Sequence, residues 1–319
     1  MGPALALTDV SKRYGAFQAV RDLSFQVPKG SICGFLGPNG AGKTSTIRMI
    51  LGLTPATSGR VEILGANDGR KVRDRIGFLP EERGLYRKMT PVDAIAFFAG
   101  LKGVPLGEGR RRARVMLEAQ GLGEASNKKM KDLSKGMAQK VQLIAALAHE
   151  PEFVILDEPF SGLDPMNQQG LEVMIRDIAS KGATVLFSTH VMQHAERLCD
   201  KVVLIAGGQK AFEGTVDEAR ATAPRYLELE GAIAPDAVAA LPGVVSVESE
   251  DLGETRRIRA TLKAGGAGQE ALKAAFVQGL DVRTFQMREP SLHDAFIGLT
   301  GADPDQDQDQ GHRTEEAAR

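Results

Sequence analysis

One stretch of sequence decides the fold of this chain, Gly37-Pro38-Asn39-Gly40-Ala41-Gly42-Lys43-Thr44. Its glycines let the backbone wrap closely around phosphate oxygens, so that N–H groups and a helix N-terminus face the negative charge. The lysine supplies a positive charge for the β- and γ-phosphates, and the threonine hydroxyl can ligate Mg²⁺. The pattern therefore predicts a phosphate-binding loop for a nucleoside triphosphate.

The segments on either side of the loop support this prediction. Residues 31–36 form an apolar run typical of a buried strand, and residues 45–51 indicate a helix that ends at Gly52. The alternative, a glycine-rich turn that merely ends in Lys-Thr, lacks that context. We expect the nucleotide to contact the loop and the residue after it, namely Gly37, Pro38, Asn39, Gly40, Ala41, Gly42, Lys43, Thr44 and Ser45.

The bulk composition indicates a soluble globular protein. The chain has 319 residues, of which 42% are hydrophobic and 25% charged, so it can hold one large domain and a smaller one. A net charge of −1 gives no indication of nucleic acid. No signal peptide is evident, and no apolar run approaches the ~18–20 residues of a membrane span. Cys33 and Cys199 lack metal-site spacing and are expected to be buried thiols in a reducing cytosol.

The order of apolar runs predicts an α/β domain over residues 1–220. Three runs are typical of strands covered on both faces, at 153–156, 184–188 and 202–206. Three further segments resemble antiparallel strands at the margin, at 5–10, 19–27 and 209–212. Residues 91–142 show helical periods and no good strand. We therefore expect a nucleotide-binding core with an antiparallel β layer and a helical subdomain at about 91–142.

A second, α+β domain is predicted over residues 221–300. Its strands are expected at 226–230, 244–248, 256–262 and 281–287, with helices around 235–240 and 269–278. This β-α-β-β-α-β order is that of a ferredoxin-like fold, closed by a helix at 290–299. Residues 301–319 form an acidic tail with few apolar residues, which we expect to be disordered.

Two adjacent carboxylates, Asp157 and Glu158, end the apolar strand at 153–156. Asp157 is placed to hold Mg²⁺, and Glu158 to orient and deprotonate an attacking water. Read alone, the pair is compatible with a strand-to-turn exit, but with the phosphate loop upstream the catalytic interpretation is favoured. Lys43 and Glu158 are then predicted catalytic residues.

Three more segments make the interpretation specific. Residues 133–137, Leu-Ser-Lys-Gly-Met, open a helix, so that a serine hydroxyl and backbone N–H groups can cap an anion. Ser-Gly-Leu-Asp follows the acidic pair at 161–164, and His190 ends a strand. In this order and spacing the segments resemble the signature motif, D-loop and switch histidine of ATP-binding-cassette (ABC) ATPases. The resemblance covers residues 5 to about 215.

The resemblance implies that two ATP-binding domains pair head to tail around two ATP molecules. Ser134 and Gly136 of one chain then contact the ATP held by the other, and Asp164 crosses the dimer interface. His190 joins the catalytic residues at the γ-phosphate. Tyr14 occupies the position of an aromatic residue that stacks on adenine; the alternative is a half-buried aromatic of a strand.

The chain departs from the family pattern at two places. The usual Leu-Ser-Gly-Gly-Gln has Lys135 and Met137 at its third and fifth positions here. Lys135 can add positive charge near the γ-phosphate, and a solvated lysine is the alternative. Glu81 stands where the family has a glutamine. Its carboxylate can ligate Mg²⁺ but repels the γ-phosphate.

Residues 79–86 and 287–296 resemble one subgroup, the ATP-binding subunits of ABC-2-type exporters, some of which serve sodium extrusion. This implies an ATPase that drives a separate integral-membrane permease outward, peripheral on the cytoplasmic face of the cell membrane, paired with a second copy or a paralogous subunit. The helical insertion is the expected docking surface. Phe97, Phe98 and Leu101 are candidates to line it, with core packing as the alternative for at least one phenylalanine.

The sequence disfavours two other classes of function. A soluble ABC ATPase acting on nucleic acid or ribosomes typically has tandem cassettes or a long coiled-coil insertion, and this chain has neither. A regulatory module without turnover is disfavoured because Glu158 and His190 are both present. The arginine-rich run 110–114 can meet lipid headgroups or nucleic acid, but without interleaved aromatics a solvated helix face is preferred. No nucleic-acid partner is expected.

Overall fold

The computed structural model describes residues 2–82, 84–263 and 268–301. Its contacts divide the chain into two compact units, one ending at Thr215 and one beginning at Val216. The division falls slightly ahead of the expected boundary at residue 220. That each unit folds by itself stays a prediction. The expected acidic tail lies, apart from Gly301, outside the described residues.

The first unit alternates strands and helices, as the sequence predicts. In chain order it contains β1 (Leu5–Tyr14), β2 (Phe17–Val27), β3 (Ile32–Leu36), α1 (Lys43–Ile50), β4 (Ser58–Ile63), β5 (Ile76–Leu79), α2 (Pro91–Gly100), α3 (Leu106–Ala119), α4 (Lys135–Leu147), β6 (Phe153–Asp157), α5 (Pro165–Ser180), β7 (Thr184–Thr189), α6 (Met192–Leu198), β8 (Lys201–Ala206) and β9 (Gln209–Gly214). Short 3₁₀ helices cover Gly69–Arg75, Gly123–Ala125 and Met130–Asp132.

The main sheet has six strands in the order β5-β6-β7-β3-β8-β9. All neighbours are parallel except β9, which runs antiparallel to β8. Every residue of β3, β6 and β7 is buried, and so is β8 from Val202 to Ile205, with Ala206 half-buried, which agrees with the expectation that the runs at 153–156, 184–188 and 202–206 are covered on both faces. Because parallel strands end at one edge of the sheet, the segments that follow these three neighbouring strands meet there.

A second, antiparallel sheet of the first unit has the order β2-β1-β4. Phe25 of β2 stacks on Phe35 of β3 with ring centroids 5.3 Å apart, so the two sheets share one core. The segment expected at 209–212 is antiparallel, but it extends the main sheet rather than this layer. The sequence did not indicate β4 and β5, because β4 is largely polar and β5 has only four residues.

The segment 91–142 is helical, as expected. It contributes α2, α3 and the start of α4, with no strand among these residues. Thr90 caps α2 by accepting a hydrogen bond from the backbone N–H of Asp93 at 3.2 Å. Phe97 is exposed and Phe98 half-buried, and their rings pack edge to face at 5.5 Å. Leu101 at the end of α2 is 64% exposed.

The second unit has the predicted β-α-β-β-α-β order. It contains α7 (Val216–Arg220), β10 (Tyr226–Gly231), α8 (Pro235–Ala239), β11 (Val244–Asp251), β12 (Arg256–Leu262), α9 (Gly268–Val277), β13 (Val282–Arg288) and α10 (Leu292–Thr300). Its antiparallel sheet has the order β11-β12-β10-β13, which is the ferredoxin-like arrangement. The core lies between this sheet and α8 and α9, with Leu229, Val238, Ile258 and Ala271 at its centre.

Candidate functional site

The phosphate-binding loop connects β3 to α1, and close backbone contacts explain its glycines. A Cβ atom at Gly37 would lie 2.3 Å from the carbonyl oxygen of Ile205. Gly42, at the N-terminal end of α1, has a φ of 99°, and a Cβ there would lie 2.6 Å from the carbonyl oxygen of Ala19. Side chains are thus excluded at both positions, which leaves the backbone N–H groups and the start of α1 accessible to an anion.

Lys43 lies buried at the centre of this loop. Its ammonium group donates hydrogen bonds to the carbonyl oxygens of Gly37 at 2.6 Å and Pro38 at 3.1 Å. It also lies 3.5 Å from a carboxylate oxygen of Glu158. Burial lowers the pKa of Lys43, and the nearby Glu158 opposes that shift. The loop therefore holds a poorly hydrated cation, whose interaction with phosphate oxygens is strengthened by the low local dielectric.

The acidic pair lies at the end of β6, next to the phosphate-binding loop: Asp157 is the last residue of the strand and Glu158 follows it. Asp157 is 4% exposed and accepts a hydrogen bond from the hydroxyl of Ser188. Burial raises the pKa of Asp157, while hydrogen bonds from Ser188 and Thr44 oppose the shift. The Thr44 hydroxyl and the Asp157 carboxylate are thus neighbours, as predicted for two oxygen donors to one cation.

Glu158 adopts a backbone conformation that side chains rarely take. Its φ is 45°, in the left-handed region, and its backbone N–H donates to the carbonyl oxygen of Ser188 at 3.1 Å. Such conformations cost free energy and are concentrated at functional sites. His190, after β7, places Nδ1 at 3.0 Å from the same carboxylate oxygen that faces Lys43. The fold therefore brings together all three predicted catalytic residues.

An open cavity of about 250 Å³ lies in front of the loop. It is lined by Phe17, Ala19, Pro38, Asn39, Gly40, Gly42, Lys43, Thr44, Ser45, Glu81 and Glu158. Burial raises the pKa of Glu81, and the negative charges of Asp157 and Glu158 add to the shift. Three carboxylates therefore share this region. A larger open cavity, lined in part by Arg60 and Lys71, contains none of the predicted site residues.

Phe17 is a lining residue that the sequence reasoning missed. It pairs directly with Tyr14 across the hairpin of β1 and β2, so the two rings lie on one face of that hairpin. Phe17 is 64% exposed and Tyr14 44%, but only Phe17 lines the cavity. The ammonium group of Lys12 lies 4.9 Å from the Tyr14 ring centroid. The signal available in the sequence was a second aromatic residue just after the turn at Gly15.

Ser134, Gly136 and Asp164 lie at the N-terminal ends of α4 and α5, and none of them lines this cavity. Ser134 caps α4 by accepting a hydrogen bond from the backbone N–H of Met137 at 3.2 Å. Asp164 caps α5 through the backbone N–H of Asn167 at 3.0 Å. A Cβ atom at Gly136 would lie 2.6 Å from the Asn167 side chain, so the first turn of α4 is close to the first turn of α5.

The parallel sheet, the phosphate-binding loop after β3 and the carboxylates after β6 define a P-loop nucleoside triphosphatase. A family profile described as ABC transporter matches residues 20–161. A second, described as the C-terminal domain of DrrA1-3-like ATP-binding proteins, matches residues 214–300.

Known proteins resemble the whole chain. The uncharacterized ABC transporter ATP-binding protein YhaQ of Bacillus subtilis is 36% identical over 310 residues, covering 93% of this chain and 99% of the relative. The Nod factor export ATP-binding protein I of Rhizobium etli is 32% identical, covering 93% of each chain. A solved ATP-binding subunit of an ABC transporter superposes with a TM-score of 0.63 at 34% identity, covering 68% of this chain and 92% of that one.

The chain belongs to the ATP-binding proteins of ABC transporters of the ABC-2 export type. It is an energy-coupling subunit that binds ATP and couples ATP hydrolysis to transport. Among the residues that the structure describes, no helix has the length and apolar character needed to cross a membrane.

Proposed function

We propose that two such subunits close head to tail around two ATP molecules and drive a separate integral-membrane permease. One observation carries this proposal. Lys43, Glu158 and His190 meet at the cavity, whereas Ser134 and Asp164 lie elsewhere on the same unit. Each chain therefore carries one part of each of two ATP sites. A second subunit, either another copy or a paralogue, supplies the missing part of both sites.

In the proposed reaction, water attacks the γ-phosphorus and the bond to the leaving ADP oxygen breaks. Glu158 accepts the proton of that water, which yields ADP and inorganic phosphate. His190 holds one carboxylate oxygen of Glu158 and leaves the other available as the proton acceptor. Lys43 exchanges its two carbonyl partners for phosphate oxygens and neutralises charge there.

The residues present fit a magnesium ion. The Thr44 hydroxyl and Asp157 carboxylate are adjacent, and Glu81 can supply a further oxygen donor. No cluster of three metal-ligating side chains occurs within the described ranges. This suits Mg²⁺, which takes one or two carboxylates together with substrate phosphates and waters. When bound, it would neutralise charge on the phosphates.

We predict that the adenine base stacks on the hairpin that carries Tyr14 and Phe17. Replacing Phe17 with alanine should weaken ATP binding about 5- to 150-fold, since stacking of a base on an aromatic ring is worth ~1–3 kcal/mol. Tyr14→Ala has an effect in this range only if the Tyr14 ring also contacts the base. Calorimetric titration with ATP and with inorganic tripolyphosphate, which lacks a base, measures both contributions.

Phe276→Ala serves as the matched control, because it removes an aromatic ring that is equally exposed but lies in the second unit. Affinity for tripolyphosphate should be the same in all variants. If Phe17→Ala lost the same affinity for tripolyphosphate as for ATP, the substitution would disturb the phosphate-binding loop rather than base stacking.

For the permease, the helical segment 91–142 is the proposed docking surface. Phe97 and Leu101 are exposed there, and the ring of Phe97 packs edge to face at 5.8 Å against Tyr86, an exposed residue just before the segment. The relative from Rhizobium is named for export, which supports outward transport and a location on the cytoplasmic face of the membrane. The polar double variant Phe97→Ser/Leu101→Ser should lose copurification with the permease while it retains ATP binding.

The test of the whole proposal is coexpression of this chain with a permease encoded beside its gene. The pair should copurify, and ATP should drive transport into inside-out vesicles. ATPase activity that responds to nucleic acid or ribosomes, with no copurified membrane protein, would favour the rival class of soluble ABC ATPase.

The second unit, residues 216–301, is proposed to contribute no group to the ATP site. Deleting residues 302–319 should leave the melting temperature and ATPase rate unchanged, because that acidic segment has few apolar residues to contribute to a core. Deleting residues 216–319 should preserve ATP binding and impair subunit pairing or coupling to the permease. Loss of ATP binding on removing only residues 302–319 would contradict this division, and nucleotide titration of both truncations measures it.

A further inference from the structure

The first unit carries a strongly basic surface that the ATP site does not use. It is assembled from two segments that are distant in sequence, 86–89 and 128–131. The backbone N–H of Met130 donates to the carbonyl oxygen of Met89 at 2.9 Å, and that of Lys131 donates to Arg87 at 3.1 Å. These bonds hold the segments side by side. The surface comprises the side chains of Arg87, Lys88, Lys128, Lys129 and Lys131, which we call the basic surface.

All five cations are exposed, and no ion pair joins them to a carboxylate within the described parts of the chain. Asp132 is the one acidic residue within the two segments and their immediate neighbours. Asp93 interacts electrostatically with Lys129, but its carboxylate forms an ion pair with Arg110 at 3.0 Å. The basic surface therefore keeps most of its positive charge available to a partner.

The arginine-rich run of α3 provides the contrast. Arg110 is bound to Asp93, and Arg111 and Arg112 both bind Glu108, at 2.7 Å each. The sequence drew attention to this run because its charges are consecutive. In the structure Arg110, Arg111 and Arg112 are locally compensated by these carboxylates, whereas the lysines and arginines of the basic surface form no ion pair with a described carboxylate.

We propose that the basic surface binds anionic phospholipid headgroups. Clustered cations are attracted to the negative potential of a cytoplasmic leaflet. Tyr86, 58% exposed and adjacent to Arg87, adds an amphipathic ring of the kind that favours the membrane–water interface. The inference relies on the proposed function only for placing the protein at a membrane. Its test uses no permease, so it can fail while ATP-driven coupling stands.

The experiment is sedimentation of the full-length protein with vesicles of phosphatidylglycerol and phosphatidylcholine at low salt. Wild type should bind these vesicles, fail to bind pure phosphatidylcholine, and dissociate as salt is raised. Lys128→Gln/Lys129→Gln/Lys131→Gln should weaken binding about 10²-fold, since each cation near an anionic membrane contributes roughly fivefold. Arg110→Gln/Arg111→Gln/Arg114→Gln removes the same charge from α3 and should bind like wild type.

Three outcomes would overturn the proposal. If the two triple variants lost vesicle binding to the same extent, the net charge of the protein alone would account for its attraction to the membrane. Binding to pure phosphatidylcholine would make the headgroup charge irrelevant. Tighter binding of single-stranded RNA than of anionic vesicles at matched salt, lost in the lysine variant only, would assign the basic surface to nucleic acid. Melting temperature and ATP affinity, measured for each variant, show that both triple variants are folded.

Discussion

Glu158→Gln is expected to bind ATP with near-normal affinity and to hydrolyse it ~10²–10⁴-fold more slowly, the usual worth of a general base. Glutamine keeps the size of the side chain and can still accept a hydrogen bond from His190, which now lies 3.0 Å from the carboxylate. It cannot take a proton from water. It also leaves Lys43 without its nearby anion, which favours contact of the ammonium group with phosphate.

The measurements are ATP affinity, steady-state ATPase rate and molecular size with ATP present. In the proposed cycle hydrolysis opens the paired state, so the variant should accumulate as an ATP-bound dimer in size-exclusion chromatography. Glu152→Gln is the matched control, since that carboxylate lies just before the other end of β6 and forms an exposed ion pair with Arg75. Near-normal turnover in Glu158→Gln would remove this residue from the catalytic role.

The second large effect concerns the split site. Lys43→Ala should abolish ATP binding in the isolated chain, because it removes the buried cation at the centre of the phosphate-binding loop. Ser134→Arg should leave ATP binding intact and abolish hydrolysis, because its bulky charged side chain replaces the cap at the start of α4, which we propose contacts the other subunit's ATP. Each variant alone should therefore be inactive, for different reasons.

Mixing the two inactive variants distinguishes a shared site from two self-contained ones. In a mixed dimer, one site combines the intact loop of the Ser134→Arg chain with the intact Ser134 of the Lys43→Ala chain. If the sites act independently, random pairing should restore about a quarter of the wild-type rate. Asn127→Arg, which adds the same side chain to an exposed position upstream, should remain active. No recovery on mixing, together with full activity of Ser134→Arg as a monomer, would contradict the head-to-tail arrangement.

Much of the fold could be predicted from sequence because its signals are local. The phosphate-binding loop, the apolar runs of β3, β6 and β7, and the alternation in the second unit each depend on residues close in the chain. β4 and β5 were not predicted, because a short or polar strand has no strong hydrophobic periodicity and is stabilised by its partners in the sheet. The role of Phe17 as a lining residue was not predicted for a similar reason, since its place at the cavity depends on its pairing with Tyr14 across the hairpin.

The sequence by itself determined which residues are candidates for the chemistry of the site. Lys43, Asp157, Glu158 and His190 are recognisable because each type of residue suits one step of phosphoryl transfer and each follows a strand or loop of the expected kind. Only the tertiary structure decided which charges act together. The sheet order β6-β7-β3 brings Glu158 to 3.5 Å from Lys43, and two backbone hydrogen bonds join the halves of the basic surface. Coulomb interactions depend on distance in space and on the local dielectric, and neither can be read from separation along the chain.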